Sequence, residues 1–116
     1  MDYTVEYYEK DDGSRPAEEF ILSQDNKMQA KIFKNLELLE IRGNELREPF
    51  SKHIEDGIFE IRNKVGNDIT GIFYFFVIGQ KIILTNGFIK KTQKTPKAEI
   101  TLAKKYRNDY LNREEI

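Results

Sequence analysis

Ten consecutive residues, ITGIFYFFVI at 69–78, carry no charged side chain. The run is too short for the ~18 apolar residues of a membrane span, and turn signals bound it, VGND before and GQ after. Its aromatic and β-branched content predicts a central strand covered on at least one face. GQ at 79–80 is a hairpin signal, and KIILTNGFI (81–89) returns antiparallel. IFEIRNK (58–64) alternates, with Phe59 and Ile61 on one side and Glu60 and Arg62 on the other. A sheet built from these three strands leaves the rest of the chain to cover it.

YTVEYY (3–8) reads as a first strand and KDDGS as a turn. Ser14 is placed as an N-cap, with Pro16 in the first turn of a short helix that runs to about Ser23. Asp25 caps a second helix, in which Met28, Ile32, Leu36 and Leu39 recur at spacings of three and four. Phe33 widens that stripe, and Gly43 sits at C′. The stripe is core packing and not a cofactor site. NELREPFSKHIEDG reads as a polar connection. Thr95 as N-cap and Pro96 at the first helical position open a last helix, ending near Asn112. The order β-α-α-β-β-β-α implies an α+β class with a small, mainly antiparallel sheet. A chain of 116 residues fills one core, so 1–116 is a single domain.

Cysteine is absent and His53 is the lone histidine, so neither a disulfide framework nor a thiolate metal site is available. No metal and no other cofactor is expected. No signal peptide opens the chain, which makes the cytoplasm the expected compartment, with no membrane partner. A net charge of −1 hides an asymmetry, because residues 90–107 hold seven lysines or arginines and one acid, a local +6. Such a chain can offer a basic face to a polyanion; the plain alternative is a solvated C-terminal helix. Lys90, Lys91 and Lys94 follow a buried strand and precede a helix start, where scaffolds present working groups. If Phe59 and Ile61 face the core, Arg62 and these lysines converge on the opposite sheet face, as a phosphate site requires. Tyr74, Phe76 and Phe88 would stack on bases where exposed, and belong to the core otherwise.

EPFSKHIEDGIFEIR, GIFYFFVIGQKIILTNGFIKKTQKTP and EITLAKKYRNDY together resemble the RelE/HigB superfamily of bacterial toxin–antitoxin toxins, in its phage-derived, HigB-like branch. The resemblance runs from about residue 2 to 110 and is most specific in GFIKKTQKTP. It implies a compact RelE-like microbial-RNase fold and an mRNA interferase, a metal-independent endoribonuclease acting on the ribosome. It also implies a silencing antitoxin, of the helix-turn-helix HigA type. Transferred by position, Arg62 matches the strand arginine of the catalytic face. Lys90, Lys91 and Lys94 match a basic loop that holds the scissile phosphate. Glu48 resembles a general base, and Lys52 and Lys97 add RNA contacts. Read without the resemblance, Glu48 is a surface carboxylate stabilised by Arg47 or Lys52, and His53 is a loop histidine.

The chain departs from that pattern at Gly71, where the resemblance leads one to expect an arginine facing the phosphate. Losing such a donor costs ~2.7–4 kcal/mol of transition-state stabilisation. A degenerate toxin, a detoxified form or a β-bulge would each account for the glycine, and a weakened or detoxified protein is the favoured reading. On this view Gly71→Arg adds a phosphate ligand with little loss of stability. Two other functions fit the same residues, a gyrase-inhibiting toxin of the superfamily and a non-catalytic antitoxin-binding scaffold.

Overall fold

The computed structural model describes residues 2–92 and 94–114. The elements, in order, are β1 (Thr4–Tyr7), α1 (Pro16–Leu22), α2 (Asn26–Arg42), a 3-10 turn (Gly43–Glu45), β2 (Ser51–Glu55), β3 (Ile58–Val65), β4 (Asp68–Val77), β5 (Lys81–Ile89) and α3 (Lys97–Glu114). The five strands form one sheet in the order β1-β5-β4-β3-β2. Strands β2 to β5 pair antiparallel, and β1 lies parallel to β5. The α+β class and the mainly antiparallel sheet agree with the sequence. The strand count does not, because SKHIE is a strand and not a polar connection. As an edge strand β2 buries little, and Ile54 is its only apolar residue, so alternation gives no signal there.

Local chemistry explains the helices. Asp25 accepts the Met28 N–H at 2.8 Å, and Gly43, with φ of 53°, ends α2 as a positive-φ residue should. Met28, Ile32, Leu36 and Leu39 are all buried, each contributing roughly 1.5–3 kcal/mol. Phe33 lies outside the stripe at 42% exposure, whereas Asn35 is buried within it. At α1 the N-cap is Arg15, not Ser14, whose hydroxyl turns back to Asp12 Oδ1 at 2.6 Å.

The sheet is covered on both faces. Helices α1 and α2 pack on Ile61, Ile72, Tyr74, Ile82 and Leu84, while α3 packs on Ile58, Phe73, Phe75, Ile83 and Phe88. Position 88 should share a face with 82 and 84 by simple alternation. It does not, because a bulge intervenes. Ile72 pairs with Gly87 and Tyr74 with Leu84, so Phe73 alone faces Thr85 and Asn86. The extra residue reverses the phase of β5 and turns Phe88, and Lys90 after it, towards the α3 side. Asn86 donates to Glu99 at the start of α3, fixing the helix beside the bulge.

The outer edge of β1 is closed from α2, where Glu40 accepts the Tyr3 N–H on its carbonyl (2.7 Å) and the Val5 N–H on its carboxylate (3.0 Å). Among the described residues, no helix is long and apolar enough to cross a membrane.

Candidate active site

Ladder register aligns the side chains of interest. Lys52 pairs with Glu60 across β2 and β3, Arg62 with Gly71 across β3 and β4, and Gly71 with Phe88 across β4 and β5. All share the face of Ile58, on which Phe88 belongs to the part that α3 covers. A polar cleft of about 240 Å³ opens there, lined by Glu48, Ser51, Lys52, Glu60, Arg62 and Lys90 among others. Four residues singled out from the sequence, Glu48, Lys52, Arg62 and Lys90, therefore meet.

The sequence reading missed the carboxylate at the centre. Glu60 has a side chain only 2% exposed and accepts Lys90 Nζ on both oxygens, at 3.1 and 3.0 Å. Thr95 donates its hydroxyl to Oε1 at 3.2 Å. Thr95 is thus a Glu60 ligand and not the expected N-cap; helix α3 begins one residue later than placed, with the Ile100 N–H on the Pro96 carbonyl. Lys90, whose side chain is 11% exposed, is a partner of Glu60 before it is anything else. Burying these two charges is tolerable because they are paired and hydrogen-bonded. The signal for Glu60 was its i, i+2 relation to Arg62 on one strand face.

Gly71 makes the pair possible. A methyl group built on it would sit 2.6 Å from Glu60 Oε2 and 2.6 Å from Phe88 Cζ. The space that a side chain at 71 would need is filled by that carboxylate and that ring. An arginine there needs both Glu60 and Phe88 to shift, which counts against the expectation that Gly71→Arg would be accommodated cheaply. The bulge lies in β5, opposite Phe73, and not at Gly71.

The remaining residues divide. Arg62 is half-buried, and its strand is held by its own N–H on the Phe50 carbonyl (2.8 Å) and its carbonyl under the Asn35 amide (3.3 Å). Lys52 and Glu48 are exposed at the rim. Glu48 makes no ion pair among the described residues; Arg47 donates instead to the Asn44 carbonyl at 2.6 Å. Lys91, Lys94 and Lys97 are exposed and do not line the cleft. Gln93, within the same loop, lies outside the described residues. His53 is in strand β2 and not in a loop; its Nε2 accepts the Gly57 N–H at 3.2 Å and its ring packs edge-on against Phe59.

Of the aromatic residues considered for stacking, Tyr74 and Phe88 are buried, and Phe76 packs against Tyr3, Phe59 and Tyr74. The Tyr74 hydroxyl bonds that of Ser51 on the cleft wall, and burial pushes its pKa up to about 12. The basic C-terminal segment is also less uniform than its charge count implies. Lys104 is tied to Glu55 and Asp56, and Arg107 donates to the Asp56 carbonyl. Lys104 holds the Asp56 carboxyl below its usual range.

The cleft therefore presents Arg62 and Lys52 as cations with no carboxylate partner among the described residues, Lys90 already bonded to Glu60, and Glu48 as an exposed carboxylate. Such a set can bind and orient a phosphodiester. Residues 19–108 match the model of a family described as "Phage derived protein Gp49-like (DUF891)". No curated protein matches the chain.

Proposed function

The chain belongs to the phage-derived Gp49-like family, and we propose that it is the toxin of a toxin–antitoxin pair, a RelE-like endoribonuclease that cuts mRNA on the ribosome. The observation that carries this reading is the convergence of Glu48, Lys52, Arg62 and Lys90, from separate stretches of chain, in one polar cleft.

RNA brings its own nucleophile. The 2′-oxygen attacks the adjacent phosphorus, the bond from phosphorus to the 5′-oxygen breaks, and a 2′,3′-cyclic phosphate remains. Arg62 grips two phosphate oxygens with its fork, while Lys52 and Lys90 supply point charges. Glu48 takes the proton from the 2′-hydroxyl, and Lys52 returns one to the 5′-oxygen. Glu60 does not touch substrate; it positions Lys90. The ribosome aligns the message, which supplies the proximity that a shallow cleft lacks. Lys91, Lys94 and Lys97 border the path of the strand and of ribosomal RNA. The antitoxin silences the protein by covering the basic loop or by bracing α2 and blocking entry to the ribosome.

The test is cleavage of mRNA on translating ribosomes, with Arg62→Ala alongside. Cut message from the native chain, reduced by about 10²-fold or more in the variant, supports the nuclease. Intact message with blocked DNA supercoiling would put a gyrase inhibitor in its place, and neither effect would leave an antitoxin-binding scaffold.

A further inference from the structure

A second cavity, of about 490 Å³, also has Arg62 in its lining. Helix α2 contributes Lys31 and Asn35, the turn before β2 contributes Pro49 and Phe50, and β3 contributes Arg62 and Lys64. It shares Pro49 and Arg62 with the cleft described above, so the two adjoin at these residues. Its chemistry differs. No carboxylate is among its lining residues, and Lys31, Arg62 and Lys64 make no ion pair among the described residues. Phe50 stands on the wall with 38% of its surface exposed. The size is that of an ordinary small-ligand site.

Three cations without acids, beside a solvent-facing aromatic ring, form the pattern that holds single-stranded nucleic acid: charges follow the backbone and a ring takes a base. We infer that this cavity is a nucleotide subsite, in which the RNA residue next to the scissile phosphate stacks its base on Phe50. Lys31 and Lys64 hold the following phosphate. Arg62 belongs to both compartments and fixes the register of the strand between them. Asn35 is a positioning residue, because its amide donates to the Arg62 carbonyl and to Asn63 Oδ1, at 3.3 and 2.9 Å. This inference rests on the ribonuclease reading and adds where the substrate's base is recognised.

The experiment uses a short single-stranded RNA with 2′-O-methyl sugars, which cannot be cut, and an abasic strand of equal length. The protein has no tryptophan, so Phe50→Trp supplies a single reporter at the site. Binding should quench its fluorescence with the base-bearing strand and not with the abasic one. Phe50→Ala should weaken the base-bearing strand by roughly tenfold and leave the abasic strand unchanged. The Lys31→Ala/Lys64→Ala pair should weaken both strands and reduce the salt slope by about 1.4. Thermal melts verify that each variant is folded. Equal binding of both strands by native protein and Phe50→Ala, an unquenched tryptophan, or no binding by the native chain overturns the subsite. If mRNA cleavage on ribosomes persists in that case, the nuclease reading stands without it; if cleavage is also absent, both fall.

Discussion

Lys90 meets Glu60 across the position of Gly71. The ammonium lies 3.0 and 3.1 Å from the two carboxylate oxygens, and a methyl group on residue 71 would come within 2.6 Å of one of them. Three adjacent strands, β3, β4 and β5, thus cooperate in a single contact, in which the middle one contributes only by having no side chain.

Substitution at Gly71 should therefore disturb the site. Gly71→Ala is expected to cost ~1–3 kcal/mol through overpacking, and Gly71→Arg more, since Glu60 and Phe88 must both move. Denaturant titrations beside mRNA cleavage assays measure the two effects together. Unchanged stability with raised cleavage would mean that the two neighbours yield and that residue 71 does reach the phosphate.

The ion pair itself predicts a non-additive cycle. Lys90→Met strands a carboxylate that is 2% exposed, with Thr95 as its remaining donor, and Glu60→Gln strands the ammonium. Each single change should cost ~3–5 kcal/mol, whereas Glu60→Gln with Lys90→Met should recover most of the loss. Chemical denaturation of all four proteins decides. Costs below ~1 kcal/mol for the single variants would show a solvated pair.

Part of this arrangement was legible in the sequence. The apolar run at 69–78 forms the central strand, the 58–64 alternation assigns its side chains to the right faces, and Met28, Ile32, Leu36 and Leu39 are buried, whereas Phe33 and Ile78 are exposed and Glu60 is buried against the pattern. Arg62 and Glu60 were assigned to one face correctly. Lys90 was not readable in that way, since strict alternation from Ile82 sends it to the α1/α2 side; a bulge at Thr85 and Asn86 reverses it. The one available cue was Gly87, a strand glycine of the kind that accompanies bulges. Strand β2 escaped because an edge strand with a single apolar residue resembles a loop. The second cavity escaped because Lys31, Phe50 and Lys64 are far apart in the chain and meet only through α2 packing on β3.

Alkaline stability should be governed in part by Tyr8 and Tyr74, both raised to about 12. Burial is the leading cause for each, and the Asp109 carboxylate adds to it at Tyr8. The folded protein holds these protons more tightly than the unfolded chain, whose tyrosines titrate near ~10. The resulting stabilisation is complete below pH 10 and is lost as pH rises through about 12. Phenolate absorbance followed with circular dichroism should show these two ionisations coinciding with unfolding. Ionisation of both near pH 10 in a folded protein would contradict the burial argument.

Closure of the β1 edge gives a prediction about association. Glu40→Gln keeps an acceptor for the Val5 N–H, but Glu40→Leu removes it and should cost about 1 kcal/mol. The uncovered edge is then a template for another chain. Light scattering at rising concentration should report self-association of Glu40→Leu and not of Glu40→Gln; identical behaviour would mean that the rest of α2 shields β1 sufficiently.

Glu60 also behaves as a resident anion. Clustered cations ordinarily strain a protein by mutual repulsion, but here Lys90 is already answered from within the fold. On the proposed ribonuclease function, an incoming phosphodiester would compete for Lys90 with a ligand that never leaves. Its net gain is the difference between the two contacts, not the full attraction of a bare ammonium. On that function the cleft would form before any nucleic acid arrives, and the discrimination between partners would shift to the groups that no internal carboxylate has claimed.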